Sequence, residues 1–329
     1  MQKDIKKLKF IDLFAGIGGF RIALESFGAN CVFSSDIDVE ARKTYKENFG
    51  DLPEGDITKI DSRDIPKHDI LCAGFPCQPF SISGKRLGFE DARGTLFYDI
   101  LRIAEYSQPN FLLLENVANL IKHNGGKTLN TILNILDSIN YDVSFSVLNA
   151  SEFGVPQSRK RVYFVCVRKD LRLKKYVFPS PSFEKTSIKD IAFDDKETQK
   201  LILDRKDIFI DEKKVKLSSS GNYFFKPVRV GFVNKGGQGE RIYHENGHAI
   251  TLSAYGGGVG AKTGLYLINN VVRKLSPEEC KRAMSFPENF KISANPNQAY
   301  KQFGNSVVVK VLKCVFKKLI EDFNGQALI

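Results

Sequence analysis

Apolar residues arrive along the first half of the chain in two rhythms. Short runs such as Phe10-Ile11-Asp12-Leu13-Phe14 and Ile70-Leu71-Cys72-Ala73 suit strands, and longer segments with apolar positions every third or fourth residue suit helices. The pattern predicts strands over 9–14, 30–34, 54–57, 69–73 and 111–115, and helices over 19–27, 39–48, 95–106 and 128–139. Such alternation predicts a parallel sheet with helices on both faces. Tyr141 to Leu148 and Arg161 to Arg168 read as two further strands with no helix between them, an antiparallel edge to that sheet. A closing helix is predicted from Ser306 to about Phe323. Its apolar positions Val307, Val308, Val311, Leu312, Val315, Phe316 and Leu319 follow helical spacing and should pack back on the first domain.

The pattern changes after about Lys175. Residues 179–226 are rich in Lys, Asp and Ser, broken by Pro179, Pro181 and Pro227. Residues 228–268 are short strand-like runs loaded with glycine. The expected division is one domain from 1–189 and 304–329, a smaller loop-rich β domain from 190–275, and a hinge over 276–303.

Composition adds a partner class. The net charge is +11 over 329 residues, an excess that suits a polyanion, because Lys and Arg gain free energy by displacing counterions from phosphates. No apolar run is long enough to span a bilayer. The six cysteines make no CxxC pair, and His68, His123, His244 and His248 complete no zinc pattern, so no metal is expected. With no signal peptide, the chain reads as a reduced cytoplasmic protein with free thiols.

Candidate chemistry sits at strand ends. Phe14-Ala15-Gly16-Ile17-Gly18-Gly19 joins the first strand to a helix, and glycines there let a ligand approach backbone N–H groups. Asp36 ends the second strand, where a carboxylate can hold ribose hydroxyls, and Asp56 ends the third, suited to an adenine edge. Together these fit a nucleoside site without separating NAD from S-adenosylmethionine. After the fourth strand comes Gly74-Phe75-Pro76-Cys77-Gln78-Pro79-Phe80-Ser81, a proline-stiffened loop presenting a thiol. Cys72, inside the strand, suits a small buried hydrophobe. The next strand ends Leu114-Glu115-Asn116-Val117, which should turn Glu115 into the same crevice. Arg159 and Arg161, in Gln157-Ser158-Arg159-Lys160-Arg161, should share a face if that segment is extended.

Each of these taken singly has a bland alternative: a tight turn, a buried thiol, surface charges. Their order does not. The glycine turn, the Pro-Cys-Gln loop, Glu-Asn-Val, Gln-Ser-Arg-Lys-Arg and Gly304-Asn305-Ser306-Val307 resemble the ordered motifs of the DNA cytosine-5 methyltransferase family over essentially the whole chain. The resemblance implies a Rossmann-like S-adenosylmethionine-dependent methyltransferase fold with a target-recognition domain in the glycine-rich region. It implies Cys77 as the nucleophile that adds to cytosine carbon 6, Glu115 bonding N3 and the exocyclic amine, Arg161 contacting O2, Arg159 supporting the site, and the Phe75 carbonyl accepting from the amine. It implies S-adenosylmethionine held by Phe14, Gly16, Gly18, Gly19, Asp36, Ile37, Asp56, Ile57, Gly74, Pro76, Asn305 and Ser306. One departure is Ile37, where similar proteins carry an aromatic residue on the adenine, beside Asp36 in place of Glu.

A base inside a duplex cannot present carbon 6 to a thiol, so the resemblance also implies base flipping from double-stranded DNA. Ser83 and Gln238 match positions that enter the duplex. Arg241 suits guanine O6 and N7. Thr251, Tyr255, Gly256, Gly257 and Gly258 match other contact positions, and Lys85 and Lys262 are phosphate candidates. The segment 229–266 is most similar to that of bacterial members that methylate the inner cytosine of GCGC, which makes GCGC the expected target. A monomer of a restriction–modification system is implied, and a cognate endonuclease acting separately stays open. A tRNA cytosine-5 methyltransferase would share the catalytic residues, but the developed glycine-rich segment argues for DNA. A catalytically dead DNA-binding protein would not need Cys77, Glu115 and Arg161 together, and a nicotinamide dehydrogenase would carry GxGxxG.

Overall fold

The computed structural model describes residues 8–75, 95–220 and 225–326. Pro76, Cys77, Ser83 and Lys85 lie outside the described residues. The chain divides into two compact units: Met1–Leu148, Lys160–Ser180 and Leu312–Ile329 form the first, and Asn149–Arg159 and Pro181–Val311 the second.

Unit 1 is built on strands β1 (Lys9–Leu13), β2 (Asn30–Ser35), β3 (Ile70–Gly74), β4 (Phe111–Val117), β5 (Tyr141–Asn149) and β6 (Lys160–Arg168). Helices α1 (Gly19–Glu25), α2 (Val39–Phe49), α3 (Leu96–Ser107) and α4 (Lys127–Ser138) alternate with the first five. The sheet order is β2-β1-β3-β4-β6-β5, with β1, β2, β3 and β4 parallel and β6 antiparallel to β4. The alternating pattern therefore gives the parallel sheet it predicts, with an antiparallel strand toward one edge. The expected third strand over 54–57 is not one. Glu54 makes a single bridge to Ser35, and Ile57–Lys59 turns into a short 3-10 helix capped by Asp56, whose side chain bonds the Thr58 N–H. The local Asp-x-Thr capping bond outcompetes extension there.

The sheet buries two faces. Ile11, Leu13, Leu71, Leu112, Leu114 and Phe164 meet Ile100, Leu101, Ile132 and Leu136 of α3 and α4 in one core. Across the sheet, the last helix, α9 (Val309–Gln326), lays Phe316 against Phe27 and Phe323 against Phe111, with ring centroids 5.6 and 5.3 Å apart. The Tyr176 hydroxyl donates to the Val315 carbonyl at 2.9 Å beside them. This helix begins at Val309, not Ser306, because Ser306 is the C-terminal cap of the helix before it.

Unit 2 carries helix α5 (Lys196–Gln199), strand β7 (Phe209–Ile210), helix α6 (Glu212–Ser219), and strands β8 (Arg229–Phe232), β9 (Arg241–His244), β10 (Leu265–Ile268) and β11 (Val271–Arg273). The strands form one small sheet in the order β11-β10-β9-β8-β7 around Val230, Val233, Ile242 and Leu265. The segment 276–303, expected as a hinge, holds two capped helices, α7 (Pro277–Ala283) and α8 (Pro296–Asn305). Ser276 and Glu279 close a capping box on α7, and Asn295 caps α8 through the Gln298 N–H. Arg273 and Glu279, both buried, form a two-pronged ion pair at 2.7 and 2.8 Å that ties β11 to α7.

Candidate active site and recognition segment

The first site in unit 1 is the turn after β1. Phe14, Gly16 and Gly18 all have positive φ, at 55°, 55° and 85°. Gly18 is restricted a second way, since a Cβ there would run into the Phe49 ring. The turn is fastened from β2: the Gly16 N–H donates to Asp36 Oδ2 at 2.7 Å, and the Asp38 N–H to Asp36 Oδ1 at 2.7 Å. Burial pushes the Asp36 carboxyl up, against the pull of these two amides. Each carboxylate oxygen keeps acceptor capacity beyond one amide, so Asp36 can hold the turn and accept hydroxyls too. Ile37, the next residue, is 74% exposed, an apolar side chain standing in solvent at the rim of the turn. Asp56 Oδ1 accepts from the Thr58 N–H at 3.0 Å and from its hydroxyl at 2.7 Å, and these bonds hold the carboxyl below the usual range. The Ile57 side chain is in the core, so it presents no side chain to a ligand. Asp36, the glycine turn and an exposed aliphatic side chain fit an adenosine-like group.

The second site in unit 1 lies at the ends of β3, β4 and β6. Gly74 is in register with Glu115, and Val117 with Arg161. Arg161 is therefore the diagonal neighbour of Glu115 across the antiparallel pair. Its Nε lies 3.1 Å from Glu115 Oε1, with both side chains largely shielded from water. Asn116, also buried, donates from Nδ2 to the Phe75 carbonyl at 2.9 Å.

Beneath the glycine turn is a group that motif reading passed over. Asp12 is fully buried in β1, and neither carboxylate oxygen has a hydrogen-bond partner. Burial first, and Asp36 second, push its carboxyl up to about 8. Arg21 of α1 is the nearest source of compensation, but it is engaged by Glu25 at 2.7 Å, Asp51 at 2.9 Å and the faces of Tyr45 and Phe49. An acidic residue inside an otherwise apolar strand was the available signal. Asn116 was equally visible, as a polar residue in a strand end that must find a partner when buried.

In unit 2, Arg159 lies just before β6, which begins at Lys160. Its buried guanidinium donates to the carbonyls of Leu252, Gly304 and Ser306 at 3.0, 3.0 and 2.8 Å. Gly304 is needed there, since a Cβ would strike the backbone of Ser253 and Ala254. Asn305, exposed, and Ser306, buried, end α8 beside it. The recognition candidates lie at the surface: Gln238, Arg241, Thr251, Tyr255, Gly256, Gly257 and Gly258 are exposed, and Tyr255 keeps 72% of its area open. The Thr251 hydroxyl donates to the Ser158 carbonyl at 2.7 Å, and Lys262 Nζ to the Asn297 carbonyl at 3.1 Å.

A mostly parallel sheet with this strand order and an antiparallel strand toward one edge is a mixed α/β methyltransferase fold. A Dnmt2 methyltransferase of S. pombe superposes on the chain with a TM-score of 0.69 at 20% identity, covering 96% of this chain and 98% of that one. The sequence defines the class more narrowly: residues 8–321 match the family model for C-5 cytosine-specific DNA methylases, and the chain belongs to that family. It is 51% identical over 323 residues to the type II methyltransferase M.HhaI of Haemophilus parahaemolyticus, covering 98% of this chain and 97% of the relative. It is 40% identical over 344 residues to M.HpaII of Haemophilus parainfluenzae, covering 97% and 91%. The chain is accordingly a DNA cytosine-5 methyltransferase. Among the described residues no helix is long and apolar enough to cross a membrane.

Proposed function

We propose that the chain flips a cytosine out of double-stranded DNA and methylates it at carbon 5, at the inner cytosine of GCGC, as the modifying member of a restriction–modification system in the cytoplasm. The observation that carries the chemistry is the largely shielded Glu115–Arg161 pair at the ends of β4 and β6, with β4 next to the strand that leads to Cys77. Carbon 5 of cytosine is a poor nucleophile. Addition of the Cys77 thiolate to carbon 6 makes it an enamine carbon. Glu115 bonds N3 and the exocyclic amine, and so stabilises the ring as charge develops. Arg161 orients that carboxylate and presents its guanidinium to O2. Loss of the carbon-5 proton and elimination of Cys77 then restore the ring.

S-Adenosylmethionine, when bound, supplies the methyl group. The glycine turn, Asp36 and Ile37 suit its adenosine, with Asp56, Ile57, Gly74, Pro76, Asn305 and Ser306 as the remaining candidates. The segment 190–275 of unit 2 is read as the target-recognition domain, with Arg241 on a guanine, Gln238 and Ser83 in the space left by the flipped base, and Lys85 and Lys262 on phosphates. The exposure of Arg241 and Gln238 and the 51% identity to M.HhaI support that assignment.

Bisulfite sequencing of plasmid from cells expressing the protein tests both halves. Protection at the inner cytosine of GCGC is expected, and none with Cys77→Ala. Protection centred on another sequence would overturn the target, and undiminished protection with Cys77→Ala would overturn the nucleophile.

A further inference from the structure

We infer that Asn116 is a positioning residue for the reaction, fixing the Phe75 carbonyl as the acceptor for the exocyclic amine of the target cytosine. This rests on the reading of Glu115 and Phe75 as groups that face the flipped base. Asn116 is 2% exposed, and both ends of its carboxamide are used. Oδ1 accepts from the Val117 N–H at 2.7 Å, and Nδ2 donates to the Phe75 carbonyl at 2.9 Å. One bond requires an acceptor and the other a donor, so the amide has a single satisfied orientation. Phe75 is held at its other end as well: its ring packs on Phe97, with centroids 5.2 Å apart. The carbonyl therefore cannot swing without breaking a buried contact.

A carbonyl oxygen has two acceptor positions. Asn116 takes one, which aims the second. Glu115 precedes Asn116 on the same strand, so the carboxylate that meets N3 and the clamp on the acceptor that meets the amine belong to consecutive residues. Cytosine differs from thymine and uracil at this edge, offering an amine where they offer a carbonyl. A fixed acceptor rewards only the amine.

The test compares 5-fluorocytosine with 5-fluoro-2-pyrimidinone, which lacks the amine, at the target position of a duplex. Formation of the covalent complex is followed with wild type and Asn116→Ala under single-turnover conditions. Asn116→Ala should slow complex formation about tenfold or more with 5-fluorocytosine, the scale of one hydrogen bond made in the transition state, and by less than about threefold with the pyrimidinone. Equal slowing with both bases would overturn the inference, leaving Asn116 a purely structural residue. If wild type forms a complex with neither base, it is the covalent reading that fails. Should Asn116→Ala not fold, as judged by thermal unfolding, Asn116→Asp keeps the shape, replaces the donor with an acceptor and should show the same amine-dependent loss.

Discussion

Unit 1 hides the polar groups of its candidate site, and unit 2 displays those of its proposed recognition segment. Asp12, Glu115 and Asn116 are buried, and Glu115 and Asn116 are tied to groups on neighbouring strands. Gln238, Arg241, Thr251 and Tyr255 stand in solvent on loops and a short strand. The difference follows from the work assigned to each. A developing charge is stabilised only by dipoles that are already in place and shielded from water, which demands burial and satisfied partners. Base edges lie in a groove that the protein must enter, which demands reach. Unit 2 keeps its own buried polar groups for architecture: Arg159 with three carbonyls, and Arg273 with Glu279.

Substitutions can break this contrast, beginning with the largest effect. Glu115→Gln should lower single-turnover methyl transfer by roughly 10²–10⁴, with duplex binding retained in a gel-shift titration. A rate near wild type would make the Glu115–Arg161 pair structural. Arg159→Lys should act on stability instead, because an ammonium cannot span three carbonyls and each one left bare costs about 1–3 kcal/mol. Urea unfolding should register the loss, and an unchanged midpoint would remove Arg159 from the scaffold of unit 2.

Asp12 gives a pH signature. The folded protein holds a proton on this carboxyl up to about pH 8, while the unfolded chain releases it near the ordinary value of 3.8. Its stabilising contribution is therefore complete below that value and is lost as pH rises toward 8, by up to about 1.4 kcal/mol per unit. Asp12→Asn should gain on wild type by roughly 2–3 kcal/mol between pH 6 and 8 in urea unfolding, and parallel pH profiles would show that the carboxyl is not neutral. Arg241→Ala should cost about 1–3 kcal/mol of discrimination at one guanine of the target, read as relative rates on singly substituted duplexes. Equal loss on all of them would reduce Arg241 to a phosphate contact. The smallest effect is expected at Ile37, where Ile37→Trp should tighten cofactor binding by about 0.5–1.5 kcal/mol in calorimetry. Weaker binding would mean that adenine does not lie against this side chain.

The strands and helices of unit 1 were legible because period and order agree: apolar runs alternate with amphipathic helices, and motif residues fall at strand ends. Glu115 and Arg161 were each identifiable from sequence. Their pairing was not, since it depends on the register that sets Val117 opposite Arg161. Asn116 and Asp12 showed in the sequence only as polar residues within strands, and their roles come from burial, which no motif states. The strand expected over 54–57 gave way to a capping bond of Asp56, and the segment after Ser276, expected as a hinge, holds helices that Pro277 and Pro296 start.

The position of α9 sets a schedule for synthesis. The six strands of unit 1 are complete at Arg168, yet the helix that lays Phe316 on Phe27 and Phe323 on Phe111 follows about 140 residues later. At 5–20 residues per second the ribosome needs on the order of ten seconds to make that stretch. For that interval the nascent sheet carries an uncovered aromatic face. Chaperone dependence during translation should therefore exceed anything seen when the finished chain refolds from denaturant, and slowing translation within the intervening segment should raise the aggregated fraction.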